Sequence, residues 1–195
     1  MRGLDFEYPH REKFNIPLKN SVTGINSASV EEKGFSTKKW LKNSTQYDAE
    51  DRAKIGTHYH TAMEMLDLST MYVKNTDFLD VDYDKIRLAH KVLSPLVKDA
   101  IDIKKEAEFM MYVPYNELVD SAVTDKVLVQ GVVDLLIENK EDIVIVDYKF
   151  SRLPIRLLKE KYAEQLKLYK LAVEKAYNKK VAHMYIYSIE TGELL

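Results

Sequence analysis

The chain has no cysteine among its 195 residues. That one absence removes disulfides, thiolate zinc sites, iron–sulfur clusters and a cysteine nucleophile. No run approaches the ~18–20 apolar residues of a membrane span. Residues 1–15 carry charges throughout and have no apolar h-region, so no signal peptide and no membrane are expected, and the expected setting is cytoplasmic. No G-x-x-x-x-G-K-[ST] phosphate loop occurs, so no ATP site is recognisable. An excess of positive charge is missing too: 29 basic residues face 31 acidic ones, for a net charge of −2. Chains that hold nucleic acid unaided are usually basic. A nucleic-acid role here needs local segregation of charge, or a second protein that supplies the grip.

What is present is a globular balance, with 46% hydrophobic and 31% charged residues over a length that suits one domain. Residues 1–20 are polar and proline-punctuated and read as an extended arm; residues 21–195 read as a single domain. Residues 29–50 are polar, with Phe35 and Trp40 as isolated anchors, and fit a loop or a short helix around residues 38–42. Across 48–73 the positions Ile55, Tyr59, Ala62, Met63 and Leu66 follow helical spacing. Residues 82–94 and 95–105 predict two short helices divided at Ser94-Pro95. The period then changes. Strands are expected over 106–113, 126–137 and 143–150, with Asn139-Lys140 in a tight turn that asparagine suits through its tolerance of left-handed backbone. A helix over 157–177 and a strand over 181–189 follow. This order predicts an α/β fold: a mixed central sheet flanked by helices, with an N-terminal helical region.

The chemistry concentrates in the strand Ile143-Val-Ile-Val-Asp147-Tyr-Lys149-Phe150. Strand side chains alternate, so Asp147 and Lys149 share a face with Ile143 and Ile145. Buried charge is costly unless paired or bound to metal. Read alone, the two residues fit a surface ion pair as well as a reactive site. Gly131-Val-Val-Asp134 places a second carboxylate on the neighbouring arm of the hairpin. Converging carboxylates favour hard cations such as Mg²⁺. Gly131 fits close backbone approach or a bend.

Together these residues resemble the PD-(D/E)XK nucleases, in particular their RecB-like branch with its restriction-endonuclease-like core. Tyr162-Ala-Glu-Gln165-Leu-Lys-Leu-Tyr169 is similar to that branch's Y-x-x-Q-x-x-x-Y helix, and Gly56-Thr-His-Tyr-His60 to its G-T-x-x-H helix. Tyr8-Pro9, Pro17-Leu-Lys19-Asn-Ser21-Val-Thr23 and Glu106-Ala-Glu-Phe109 narrow the resemblance to AddA-type nuclease domains of bacterial helicase–nucleases. Two positions depart from the pattern: Phe150 stands where threonine often follows D-Y-K, and Glu108 where E-x-P-F has proline.

The resemblance implies a metal-dependent deoxyribonuclease module of double-strand-break repair and recombination. Asp134, Asp147 and Lys149 would be catalytic. His60, Asp134, Asp147 and the backbone carbonyl of Tyr148 would hold Mg²⁺, with Mn²⁺ able to substitute. Gln165, Tyr169 and Tyr162 would contact DNA or support the site, and Glu106 fits an outer acid or a surface charge. The implied partners are DNA, as a single strand, the helicase motor of the same parent protein and an AddB-like partner. Two alternatives stay open: a stand-alone RecB-like nuclease and an inactive nuclease-like DNA-binding module. Lys159, Lys161, Lys167 and Lys170, with Arg152 and Arg156, fit a solvated face or a phosphate-tracking groove; Lys38, Lys39 and Lys42 are a weaker candidate of the same kind. His10, His58, His90 and His183 have no sequence partners and read as ordinary surface or packing residues.

Overall fold

The structure, a computed structural model, describes residues 19–25, 46–71, 80–118 and 120–195. Most of the expected arm, the Phe35/Trp40 stretch, Lys38, Lys39, Lys42, His10 and the motif residues Tyr8-Pro9 and Pro17-Leu18 lie outside the described residues. Three residues at the arm's boundary are described, and Lys19–Ser21 form a strand, β1.

Five further strands complete one mixed sheet: β2 (Asp102–Pro114), β3 (Lys126–Glu138), β4 (Asp142–Lys149), β5 (Lys180–Ser188) and β6 (Glu193–Leu194). The order is β1-β3-β4-β5-β6, with β2 on the other edge of β3. β4 pairs parallel with β5, and β3 pairs antiparallel with both β2 and β4. The helices are α1 (Gln46–Met65), α2 (Tyr83–Leu93), α3 (Ile155–Lys161) and α4 (Ala163–Tyr177).

Helices cover both faces of the central strands, and the sequence of β4 shows why. Ile143 to Tyr148 are all buried, as expected of a strand with no solvent face. Val144, Val146 and Tyr148 pack with Tyr59, Met63 and Leu66 of α1 and Ile86 and Leu93 of α2. Ile143 and Ile145 pack with Leu168, Ala172 and Val173 of α4. Each such side chain contributes about 1.5–3 kcal/mol on burial. The helical stripe read from Tyr59, Ala62, Met63 and Leu66 is the buried face of α1.

Four local expectations change. The second short helix, over 95–105, is a single 3-10 turn at Ser94–Val97. Ile101 then donates to the Glu138 carbonyl at 2.8 Å and β2 starts at Asp102, because pairing along the full length of β3 outweighs local propensity. The hairpin turn needs no left-handed residue at Asn139 or Lys140; Asn139 closes it with its own amide, which donates to Asp142 Oδ1 at 2.8 Å. The helix expected over 157–177 is two, with Tyr162 at φ −104°, ψ 13° between them.

The fourth change concerns the period of two. Val127, Val129 and Val133 face the α4 side, whereas Leu135 and Ile137 face the α1 side. β2 switches in step: Ile103 packs on the α1 side, and Ala107, Phe109, Met111 and Val113 on the α4 side. The register between the two strands is constant, yet Glu106 drops out of the pairing and has φ +47°. Left-handed backbone at a residue other than glycine is uncommon and costs energy. Both strands therefore reverse their facing at one level, that of Glu106 and Asp134.

Candidate active site

That level is also where β3 and β4 part. Their ladder ends at Leu135 with Val146. One step further the same register would set Asp134 opposite Asp147, but β3 has turned away. Its edge is taken up again by β1, at Leu128 to Gln130. On that edge residues 131–134 are left as an unpaired gap between β1 and β4. The gap opens into a cleft of about 680 Å³, lined by Asp134, Asp147, Lys149, His60, Gln165 and Tyr169 among others.

Parting strands leave backbone groups without ladder partners. The Tyr148 N–H is one of them, and it donates to Asp134 Oδ2 at 2.5 Å. Asp134 is thus held by the strand it would otherwise have paired with. Its Oδ1 lies 3.6 Å from His60 Nδ1 on α1. Donor atoms of His60, Glu106 and Asp134 all lie within 4.8 Å of one another. Burial and the charge of Asp147 push the Asp134 pKa well above the ordinary carboxylate range. Burial, helped by Glu64 and Asp147, also raises Glu106. Burial and the Lys149 charge lower His60, which favours a neutral imidazole with a free lone pair. Two carboxylates that resist ionisation beside a neutral histidine form an oxygen–nitrogen donor set suited to a divalent cation.

Asp147 is treated differently. It is 1% exposed. Lys149 Nζ approaches its Oδ2 at 2.6 Å, and Gln165 Nε2 donates to its Oδ1 at 2.9 Å. Gln165 also donates to the Tyr169 hydroxyl at 2.6 Å, so one turn of α4 fixes the carboxylate. Burial works against the Lys149 ammonium, but Asp147 and Asp134 outweigh it and raise its pKa. Burial and the same two carboxylates raise Tyr169, so its phenol stays protonated. The break at Tyr162 lays that ring over Lys149, with Nζ 4.5 Å from the centroid, a cation–π contact.

The sequence-expected residues His60, Asp134, Asp147, Lys149, Gln165 and Tyr169 thus converge on one cleft, and Tyr162 covers Lys149. Asp147 stands outside the three-donor cluster of Asp134, His60 and Glu106. Glu106 is nearer the centre than an outer acid would be. Its signal was its place in Glu106-Ala-Glu-Phe109; its left-handed φ leaves no mark in a residue type. Gly131 is required by close approach: a Cβ there would meet Phe109 Cζ at 2.7 Å and Val22 Cγ2 at 2.9 Å. The two departures also find places. Phe150 stacks on Tyr59 at 4.9 Å, beneath Arg52 and against Gly56, while Glu108 points outward from β2. The basic region expected after β4 is partly neutralised, since Lys167 pairs with Glu164 at 3.1 Å, Lys170 with Glu174 at 3.9 Å and Arg152 with Glu190 at 3.8 Å. His58 turns away from the cleft and accepts from the Asp80 N–H at 3.2 Å.

The family model of the PD-(D/E)XK nuclease superfamily matches residues 35–194. The chain belongs to that superfamily. Its PD-(D/E)XK relatives include three bacterial proteins named as ATP-dependent helicase/nuclease subunits, of the AddA type. The one from Ruminiclostridium cellulolyticum is 27% identical over 232 aligned positions that cover 100% of this chain. Those from Listeria monocytogenes and Carboxydothermus hydrogenoformans are each 30% identical and cover 95% and 96% of it. The chain spans 18% of the length of each relative. Among the described residues, no helix is long and apolar enough to cross a membrane.

Proposed function

We propose that this chain is the metal-dependent deoxyribonuclease domain of an AddA-type helicase–nuclease in double-strand-break repair and recombination, working in the cytoplasm. Its substrate would be a single strand of DNA delivered by the motor of the parent protein, alongside an AddB-like partner. That division of labour also answers the charge of −2: the grip on duplex DNA lies elsewhere. The observation that carries the reading is the fork itself, where Asp134 and Asp147 meet in a cleft with Lys149 on one and His60 and Glu106 beside the other.

The donor set fits Mg²⁺, held by Asp134, His60 and Glu106, with Asp147 and the Tyr148 carbonyl completing the set. When bound, such an ion lowers the pKa of its water and polarises a phosphate oxygen. The remaining work belongs to the chain. Asp134 is aimed by the Tyr148 N–H and Asp147 by Gln165, so neither carboxylate must reorganise when a phosphate arrives. Lys149 is kept cationic by Asp147 and Asp134. It therefore serves to position the attacking water and to stabilise charge on the phosphate oxygens, and is a poor proton acceptor. Tyr162, stacked on Lys149, and Tyr169, a protonated phenol, contact the strand beside the scissile phosphate.

The test is degradation of end-labelled single-stranded DNA with Mg²⁺ or Mn²⁺. Wild type should cut only with metal, and Asp147→Ala and Lys149→Ala should each abolish cutting while remaining folded. Cutting that survives both substitutions would overturn the site. A folded wild type that neither cuts nor binds metal would favour the inactive DNA-binding module.

A further inference from the structure

Beyond the facing switch at Glu106, β2 is an edge strand with one covered side and one open side. Ala107, Phe109, Met111 and Val113 pack toward α4. Glu108, Met110 and Tyr112 point the other way, with Met110 65% and Tyr112 61% exposed. The open side is three strands wide: Met110 pairs with Gln130 and Tyr112 with Leu128, and β1 adds Ser21 beside Gln130 and Lys19 beside Leu128. It is also continuous with the cleft, because Ser21, Glu108, Met110, Gln130 and Val132 form one of the cleft's walls.

We propose that this open face is a base-stacking platform, on which Met110 and Tyr112 hold the single-stranded nucleic acid next to the segment bound in the cleft. The inference rests on the nuclease reading above. A strand whose phosphate sits between Asp134, Asp147 and Lys149 must leave across a wall, and this wall presents an aromatic ring and a thioether to it. The neighbours of Met110 on this face are Glu108, Gln130 and Ser21, none of them cationic. That disfavours a phosphate track and turns the bases, not the backbone, toward the protein. Every base has a π-face, so such stacking tolerates any sequence, as a processive nuclease requires. Bases inside a duplex are hidden from it, so the platform selects single strands. Two large exposed apolar side chains on an edge strand are otherwise an association hazard, which an occupying strand removes.

The experiment measures binding of fluorescent oligothymidylates to the full chain with Ca²⁺ in place of Mg²⁺. One oligonucleotide is only long enough to fill the cleft; the other extends well past it. Wild type should bind the longer one more tightly. Tyr112→Ala should remove about tenfold of that advantage while leaving the short oligonucleotide bound as before, and Tyr112→Phe should retain it. A folded Tyr112→Ala protein that keeps the full advantage would overturn the platform. So would loss of self-association in Tyr112→Ala with no change in strand binding, which would make the face a protein contact. Failure of wild type to bind even the short strand would overturn the nuclease reading, and the platform with it.

Discussion

The two carboxylates of the cleft stand one residue past the end of the same ladder, yet their surroundings differ. Asp147 has its charge answered within the protein, by Lys149 at 2.6 Å and Gln165 at 2.9 Å. Asp134 has a backbone N–H at 2.5 Å, a histidine pushed toward neutrality, and a second carboxyl, Glu106, nearby. One half is complete as folded; the other is complete only with a cation. A buried charge with its partner built in serves to place that partner. A cluster of acids without a full counter-charge serves to recruit one from outside.

The largest effect is expected from breaking the complete half. Lys149→Ala strands a buried carboxylate on Gln165 alone. It should cost about 3 kcal/mol in chemical denaturation and lower metal-dependent cleavage roughly a hundred- to a thousandfold. Gln165→Leu removes the donor to Asp147 and to Tyr169. It should destabilise the fold by about 1–2 kcal/mol, and cleavage should fall with metal affinity largely kept, which calorimetry would read.

The incomplete half should answer with the opposite sign. Asp134→Asn keeps an oxygen for the Tyr148 N–H and removes an ill-tolerated charge. It should stabilise the metal-free fold by on the order of 1 kcal/mol and abolish the metal-induced rise in melting temperature. The smallest effect is in the pH dependence. The Asp134 pKa is raised on folding, so wild type gains stability as pH falls through that folded pKa, and the gain is complete below the unfolded pKa. The advantage of Asp134→Asn over wild type in melting temperature should therefore shrink on acidification.

How much of this was legible depended on which rule each residue obeys. Alternation alone put Asp147 and Lys149 on one face, and they touch. Helical spacing placed His60 beside the buried stripe of α1, and i, i+4 spacing joined Gln165 to Tyr169; both contacts exist. The illegible parts arise where local rules yield to pairing. The fork follows from β1 and β4 competing for one edge of β3, a long-range choice that no short motif encodes. The reversal at Glu106 uses a left-handed glutamate where composition would suggest glycine. The break at Tyr162 has neither proline nor glycine to announce it. Gly131 was visible as a residue needing room, but the ring that needs it, Phe109, became apparent only in the fold.

The most direct measurement is a Mn²⁺ titration by calorimetry of wild type, Lys149→Ala and Asp134→Asn, run beside the cleavage assay. A cleft with one metal-seeking half and one charge-placing half requires that Lys149→Ala bind Mn²⁺ at least as tightly as wild type and fail to cut, while Asp134→Asn does neither. Mn²⁺ binding by Asp134→Asn with wild-type affinity would contradict that division and place the metal away from the fork.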